Sequence, residues 1–238
     1  MRNDKLILRG VLMVLLAAVL WGTTGTAQTL APAGLSAYWV GAWRLVVASL
    51  FFAMWWGALQ RRASAPVAAA APWALVLAAG GCVAAYNLSF FAGVASAGVA
   101  VGTAVAIGSG PIWAGLLQVL ATGRAPAPAW WAGTLCAVAG GVLLVLGQGG
   151  GARASLGGVG LCLLAGLSYA AYALLSKRLV ARASTAWATL GVFGCAAAIA
   201  VPAAWAMAGA PSTSARGWLV VLYLGVATTG VAYLLFAH

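Results

Sequence analysis

The sequence predicts an all-α polytopic membrane protein with eight transmembrane helices, arranged as a five-helix inverted repeat whose second copy is incomplete. The chain of 238 residues is 65% hydrophobic and 5% charged, with a mean hydropathy of +1.06. An ordinary soluble domain carries about a quarter charged residues, so this composition indicates lipid as the natural solvent. Apolar segments also recur at the length that crosses a bilayer, with basic residues between them.

Eight apolar segments are long enough to span about 30 Å of hydrocarbon, which takes roughly 20 residues of helix. Numbered 1 to 8, they run near 10–30, 37–59, 72–92, 97–121, 130–146, 156–176, 185–208 and 217–237. Segment 1 follows three basic residues, as in a signal peptide. A retained helix is the preferred interpretation, because more spans follow and no A-x-A-like site clearly ends the segment.

The basic residues predict orientation. If the N-terminus is inside, the cytoplasmic side holds nine of the twelve: Arg2, Lys5, Arg9, Arg61, Arg62, Arg124, Lys177, Arg178 and Arg182. Arg153 and Arg216 fall outside, and Arg44 lies within segment 2. This bias predicts a cytoplasmic N-terminus and a multi-pass protein of the cell inner membrane. The short clusters form no continuous basic face, so a nucleic-acid partner is not expected despite the net charge of +11.

The scarcity of acid–base groups excludes several enzyme classes. The only acidic residue is Asp4 and the only histidine is His238, both near the termini. General acid–base catalysis, a serine triad or a His–carboxylate metal site would need such groups in the interior. We therefore expect no enzyme activity, no catalytic residue, no metal and no cofactor. The four cysteines lie singly within apolar runs and are expected to be small core residues.

A weak internal repeat gives the predicted domain organisation. At an offset near 147, segment 1 resembles segment 6, and at a slightly smaller shift segment 3 resembles segment 8. A unit of five helices has odd parity, so the second copy enters the membrane upside down, as in many secondary transporters. We assign residues 1–147 to the first repeat and 148–238 to an incomplete second repeat of three helices. The incomplete second repeat has two possible explanations: the chain is a truncated ten-helix protein, or it is a natural eight-helix protein.

The stretch GSGPIWAGLLQ, residues 108–118, places helix breakers in the middle of segment 4. Pro111 lacks an N–H and clashes with the carbonyl of Ile107, so the helix is expected to kink or open there. Freed backbone at this depth is tolerated only where it faces protein or a water-filled cavity. We interpret residues 108–111 as one wall of a substrate cavity. The alternative is an ordinary proline kink satisfied by a neighbouring hydroxyl.

Several other segments place a polar or aromatic residue at similar depth, counted at about 1.5 Å per residue. Pairs such as Thr229 and Tyr233 are spaced i, i+4 and so share a face. The candidate substrate-binding residues are Trp21, Thr24, Gln28, Tyr86, Asn87, Ser109, Pro111, Ser168, Tyr169, Tyr172, Thr228 and Thr229. The aromatic members also suit helix packing, and Asn87 also suits an interhelical hydrogen bond.

Arg44 is the only charged residue placed within the spans, roughly 10 Å from the outer end of segment 2. Ionisable residues inside a membrane mark functional sites by default, and a cation suits a carboxylate-bearing substrate. We therefore regard Arg44 as a candidate anion partner. The alternative is a side chain that snorkels toward the outer interface.

The chain resembles the EamA-type branch of the drug/metabolite transporter superfamily. The resemblance is carried by AAVLWGTTGTA, AWRLVVASLFFA, SGPIWAGLLQVL, LAGLSYAAYALLSKRL and LYLGVATTGVAYLLF in segments 1, 2, 4, 6 and 8. It implies ten helices in two inverted repeats that move small metabolites across the inner membrane. The sequence departs from the family in lacking the last two helices. It also has ATGRAPAP where a Gly-Glu-Arg-like turn is common.

Together these features predict a secondary transporter or exporter that works by alternating access around a midplane cavity. No Asp, Glu or His lies in the spans to carry protons or to hold a bulky cation. Neutral, zwitterionic or anionic metabolites are therefore the expected substrates, with amino acids first. The expected partners are the lipid bilayer, a small-molecule substrate and a second copy of the chain in a homodimer. The alternatives are a non-transporting membrane protein, such as an assembly partner or lipid-carrier handler, or an inactive fragment.

Overall fold

The computed structural model describes residues 2–62, 72–147 and 155–237, and the regular elements in these ranges are all helical. The helices are α1 (Arg2–Gly22), α2 (Thr24–Thr29), α3 (Ala37–Arg62), α4 (Trp73–Ala97), α5 (Val99–Thr122), α6 (Pro128–Gly147), α7 (Leu156–Val180), α8 (Thr185–Ala208), α9 (Ala215–Leu222) and α10 (Ala232–Ala237), with a π-helical segment at Tyr223–Val231. Arg153 lies outside the described residues.

The lengths and apolar composition of these helices confirm a polytopic membrane protein. Seven stretches in the described ranges are long and apolar enough to cross a bilayer, and α6 adds a further helix of 20 residues. Segment 1 of the sequence corresponds to α1 and α2. Segment 8 corresponds to α9, the π segment and α10, which we call together the last span.

Serine and glycine residues set several helix ends. Ser155, Ser184 and Ser214 each accept a hydrogen bond from the backbone N–H three residues later, at the start of α7, α8 and α9. Gly98 separates α4 from α5 with a φ of 85°, and Gly123 ends α5 with a φ of 67°. Positive φ is strained for residues that carry a Cβ, so glycine permits both sharp transitions.

The core lies where α3, α4, α7 and α8 pack together. The contact of α4 with α7 is the most extensive, followed by that of α3 with α8. Phe52, Phe91, Phe193 and Leu45 are fully enclosed there. By contrast, α1 exposes a row of large apolar side chains that includes Leu12, as expected of a helix that faces lipid. The inner helices therefore form a packed frame, with α1 and the last span against one side.

The expected opening of the helix at Pro111 is wrong, because α5 runs continuously from Val99 to Thr122 with Pro111 inside it. The physical reason is local space. A Cβ built on Gly108 or Gly110 would meet nothing within 4 Å, so the turn before the proline can adjust without a neighbour in its way. The Ser109 hydroxyl also donates to the Ala106 carbonyl at 3.4 Å. Helix breakers in the sequence therefore do not break this helix.

The irregular backbone lies instead in the first and last spans. The first span is interrupted at Thr23, between α1 and α2, and the last span is π-helical over nine residues. The two irregularities touch, since the Thr23 and Tyr223 hydroxyl oxygens are 2.7 Å apart. The Thr23 hydroxyl donates to the Leu20 carbonyl at 2.7 Å, so Tyr223 is the donor in the pair. The Leu20 carbonyl at the interruption thus accepts from both the backbone N–H and the hydroxyl of Thr23.

Candidate functional site

A cavity opens at one end of the bundle, which we call the basic end. This is the end at which α3 and α7 finish, where the sequence carries Arg61, Arg62, Lys177 and Arg178. The cavity has a volume of about 430 Å³. That size is typical of a site for a small molecule.

Aromatic rings and hydroxyl groups from five helices line this cavity. Its walls come from α1, α3, α7, α8 and α10, as follows: Trp21, Phe52, Trp55, Tyr169, Tyr172, Ala173, Ser176, Leu179, Val180, Thr185, Ala188, Thr189, Val192, Tyr233, Leu234 and Phe236. No member of this set carries a charge. The surface can therefore contact apolar and hydrogen-bonding groups, while any ionic contact must come from residues beyond the lining.

Four tyrosines connect the cavity to the interior. The Tyr169 ring lies 6.2 Å from that of Tyr172 and 5.4 Å from that of Tyr86, measured between centroids. Tyr233 packs edge-on against Trp21 at 5.7 Å and lines the cavity together with Tyr169 and Tyr172. We call Tyr86, Tyr169, Tyr172 and Tyr233 the tyrosine cluster. It forms a continuous aromatic surface from the cavity toward Arg44.

Arg44 is buried beyond the tyrosine cluster. Only 4% of the residue is exposed, and its Nε donates to the Thr229 hydroxyl at 2.6 Å. The guanidinium carbon lies 5.4 Å from the centre of the Phe91 ring. The Tyr86 hydroxyl lies within hydrogen-bonding reach of the guanidinium. The side chain is enclosed by protein, which excludes the alternative of snorkelling to the interface.

Two glycines explain how the last span reaches Arg44. A Cβ on Gly225 would lie 2.5 Å from Val47, and one on Gly230 would lie 2.5 Å from the ring of Phe51. The absence of side chains at these positions lets the π segment lie directly against α3. Thr229 stands between the two glycines and meets Arg44 there. The Thr228 and Thr229 hydroxyls both donate to the Leu224 carbonyl at 2.8 Å, which satisfies the widened turn.

The structure brings some of the sequence-predicted residues together. Trp21, Tyr169 and Tyr172 line the cavity, and Tyr86 joins them through Tyr169. Thr229 reaches the same region through Arg44. Gln28 lies against α4, since its Nε2 donates to the Phe91 carbonyl at 2.7 Å, and Asn87 is buried one turn earlier on the same helix. These residues come from the first, second, third, sixth and eighth segments.

The remaining candidates do not line the cavity. Ser109 is buried in the contact between α5 and α7, where a Cβ on Gly166 would collide with its hydroxyl. Pro111 is half-buried on α5. Thr24, Ser168 and Thr228 are buried within the bundle. A role for these five residues in substrate binding stays a prediction.

Sequence reasoning missed much of the cavity wall. Phe52, Trp55, Ser176, Thr185 and Thr189 were not identified as candidates, although all five line the cavity. A signal was present, because Ser176, Thr185 and Thr189 cluster around the connection between segments 6 and 7. The candidate residues were chosen at the depth of the bilayer midplane, whereas this connection lies at the basic end.

Four tryptophans pack together at the opposite end of the bundle. Trp39 stacks on Trp43 with centroids 5.3 Å apart and meets Trp205 edge-on at 6.2 Å. Trp43 also contacts Trp218 at 5.3 Å, and the Trp39 indole N–H donates to the Gly209 carbonyl at 2.9 Å. These contacts join α3, α8 and α9. The bundle is therefore closed by aromatic packing at this end, while the cavity lies toward the basic end.

Comparison with known proteins agrees with this architecture. Residues 8–146 and 156–238 match the model of the EamA-like transporter family. An uncharacterized transporter of Bacillus subtilis (strain 168), YwfM, is 37% identical over 228 residues, covering 95% of this chain and 75% of that protein. A solved crystal structure superposes with a TM-score of 0.72 at 23% identity, covering 95% of this chain and 77% of the other. That likeness shows the fold.

Proposed function

Because the chain belongs to the EamA-like transporter family, and is thus a multi-pass membrane transporter rather than an enzyme, we propose that it moves small neutral, zwitterionic or anionic metabolites, with amino acids first. The observation that carries this proposal is the cavity of about 430 Å³ at the basic end. An uncharged wall of aromatic rings and hydroxyls suits the side chain of a small metabolite, and Arg44 is the candidate partner for an anionic group.

The proposed mechanism is alternating access between two inverted repeats, residues 1–147 and 148–238. Helix packing supports this division. In the proposed repeat, segments 1, 2 and 3 correspond to segments 6, 7 and 8. The contact between segments 3 and 6, which are α4 and α7, then corresponds to a contact between segments 8 and 1, which are the last span and α1. Both contacts are present. The same correspondence maps the contact of α3 with α8 onto itself. Rocking of one half against the other would then open and close the cavity.

We propose that the protein lies in the cell inner membrane, with its N-terminus and its basic end on the cytoplasmic side. The support is the excess of Lys and Arg at that end. In this orientation the cavity is open to the cytoplasm, while the tryptophans hold the outer end closed. We propose that this arrangement is the state that loads substrate from inside.

Transport by reconstituted protein tests the proposal. Proteoliposomes loaded with a mixture of radiolabelled L-amino acids should lose label faster than protein-free liposomes loaded with the same mixture. The variant Thr189→Trp should lower this flux about tenfold or more, because an indole would occupy the cavity. Thr122→Trp is the matched control, since Thr122 is an exposed threonine outside the cavity whose hydroxyl also donates to the carbonyl four residues earlier. Equal flux with and without protein would contradict the proposal.

A further inference from the structure

A groove lies on the outer surface of the bundle, between α5 and α7. Its volume is about 280 Å³, and it is lined by Trp113, Leu116, Leu117, Val119, Leu120 and Leu167. Leu116 and Leu120 are exposed, so the groove is open to the surroundings of the bundle. In a span that crosses a bilayer, an apolar surface of this kind contacts lipid chains rather than water.

The groove is separate from the cavity described above, because the two lie on opposite sides of α7. Leu167 is the residue of α7 that lines the groove, while Tyr169, Tyr172 and Ser176 line the cavity. At 3.6 residues per turn, these three residues lie within about 40° of the face opposite Leu167. A ligand in the groove would therefore leave the cavity free, and an inference about the groove does not depend on the transport proposal.

The two helices that form the groove run in the same direction and end at the basic end. A Cβ on Gly102 of α5 would lie 3.3 Å from the sulfur of Cys162 on α7. Further along both helices, a Cβ on Gly166 of α7 would lie 2.9 Å from the Ala106 carbonyl of α5. The residue numbers increase together along the contact, so α5 and α7 are parallel. Because α7 finishes at the basic end, α5 finishes there as well.

The length of the groove fits within one leaflet of a bilayer. Leu120 lies two residues before the end of α5 at Thr122, and Trp113 lies seven residues earlier. Seven residues of helix extend about 10 Å along the axis. The hydrocarbon of one leaflet is about 15 Å thick, which is half of the bilayer core. The groove therefore lies at the depth of an acyl chain whose head group is at the basic end.

Exposed basic residues follow both walls of the groove at this end. They are Arg124 after the end of α5, Lys177 and Arg178 in the last turn of α7, and Arg182 in the connection after it. Arg178 follows Leu167 by eleven residues, which is close to three full turns, so both lie on the groove face of α7. Counted from the contact of Gly166 with Ala106, Arg178 and Leu120 stand at similar heights, about 18 and 21 Å along their helices.

We propose that the groove and these basic residues form a binding site for an anionic phospholipid, with an acyl chain in the groove and the phosphate at Arg124 and Arg178. The protein supplies no counter-charge there, because its only acidic residue is Asp4, on α1, which packs against the last span. Basic clusters beside apolar grooves between membrane helices favour anionic lipid head groups. A zwitterionic lipid would fill the groove without balancing the charge, and free phosphate would leave the groove empty.

Three ligands test this inference on the full chain in micelles of an uncharged detergent. They are dioleoylphosphatidylglycerol, dioleoylphosphatidylcholine, which has the same chains and no net charge, and inorganic phosphate, which has no chain. Binding is measured as the lipid mole fraction, or phosphate concentration, that half-saturates the shift in thermal unfolding. Phosphatidylglycerol should half-saturate this shift at a mole fraction about tenfold or more lower than phosphatidylcholine, because two or more basic residues attract its phosphate. Phosphate alone should give no shift.

Charge-removing variants test the position of the head group. Arg124→Gln combined with Arg178→Gln should weaken phosphatidylglycerol binding about tenfold and leave phosphatidylcholine binding unchanged. Arg61→Gln combined with Arg62→Gln is the matched control, because it removes two exposed charges from the same end of the bundle. These two residues end α3, whose main neighbours are α8 and α4. The control should change binding by less than about twofold, since charges more than about 10 Å apart are largely screened.

Groove-filling variants test the position of the acyl chain. Leu167→Trp and Leu116→Trp each place an indole in the groove, from α7 and from α5, and each should weaken the binding of both lipids. Leu156→Trp is the control, because Leu156 is 91% exposed at the other end of α7. The unfolding temperature without lipid verifies that each variant is folded, and two variants on different helices keep the test valid if one fails to fold.

Four outcomes would overturn the lipid site. Equal responses to the two lipids would show that the groove does not distinguish head groups. An equal shift with phosphate alone would assign the basic residues to a free anion. Equal losses in the two double-arginine variants would indicate general attraction to the basic end. Light scattering on the same samples detects the fourth outcome, a dimer that Leu167→Trp dissociates, which would assign the groove to a second copy of the chain.

Discussion

The fourth segment and the eighth segment differ in a way that their sequences do not suggest. Segment 4 contains Gly108, Gly110 and Pro111, yet α5 is continuous through all three. The last span has no proline, yet nine of its residues are π-helical. In the last span, Gly225 and Gly230 contact α3 closely and the threonine hydroxyls satisfy the widened turn. The comparison teaches that packing partners, rather than helix breakers alone, decide where a membrane helix becomes irregular.

Replacing a glycine by alanine should lower the free energy of unfolding in the last span and raise it slightly in segment 4. This is the largest difference that we expect between the two segments. In Gly225→Ala the new Cβ would lie 2.5 Å from the Val47 Cβ, an atom that moves only with α3. We expect a loss of about 3 kcal/mol in the free energy of unfolding, because overpacking forces the backbone to shift. Unfolding in mixed micelles with increasing SDS fraction measures this quantity.

Gly108→Ala is the matched control for that variant. Its Cβ would meet nothing within 4 Å, so replacement should increase the free energy of unfolding by about 0.5 kcal/mol through the better helix propensity of alanine. A loss of similar size in both variants would contradict the comparison, since it would mean that α5 is packed as tightly as the last span.

The two threonines of the π segment, Thr228 and Thr229, should also differ in how much they contribute to the free energy of unfolding. Thr229→Val removes the partner of the Arg44 Nε and leaves a buried charged donor unsatisfied, at a cost of about 2 kcal/mol. Thr228→Val removes only a hydrogen bond to the Leu224 carbonyl, which Thr229 also donates to, and should cost about 0.5–1 kcal/mol. Unfolding of both variants in the same mixed micelles gives the two costs. A larger loss for Thr228→Val would show that the Arg44 bond does not stabilise the π segment.

Pro111→Ala should raise the free energy of unfolding, by less than the losses expected for Gly225→Ala and Thr229→Val. Alanine restores the backbone N–H toward the Ile107 carbonyl within a helix that is already continuous, so we expect about 1 kcal/mol of stabilisation. Flux in proteoliposomes should be unchanged, because Pro111 does not line the cavity. A variant that is stable but transports at less than about a tenth of the normal rate would restore the interpretation of this turn as part of the substrate site.

The number and type of the helices could be predicted from the sequence, because the length and polarity of a span are dictated by the bilayer. The rotation of each helix about its axis could not. A helix such as α7 is apolar on all sides, so nothing in the pattern indicated that Tyr169 and Tyr172 would face the cavity while Ser168 would be buried in the bundle. Composition also suggested a broken helix at Pro111, whereas the interruption at Thr23 depends on Tyr223 from a distant part of the chain.

Cysteine labelling compares the two segments most directly and tests the central claim, which is that the hydrated substrate route is the cavity at the basic end. The four native cysteines are replaced, a single cysteine is placed at Thr189 or at Pro111, and labelling by a water-soluble maleimide is timed in proteoliposomes. We expect Thr189→Cys to react readily and to be protected by the amino-acid mixture, while Pro111→Cys reacts slowly and without protection. Rapid, substrate-protected labelling at Pro111 with none at Thr189 would contradict the account.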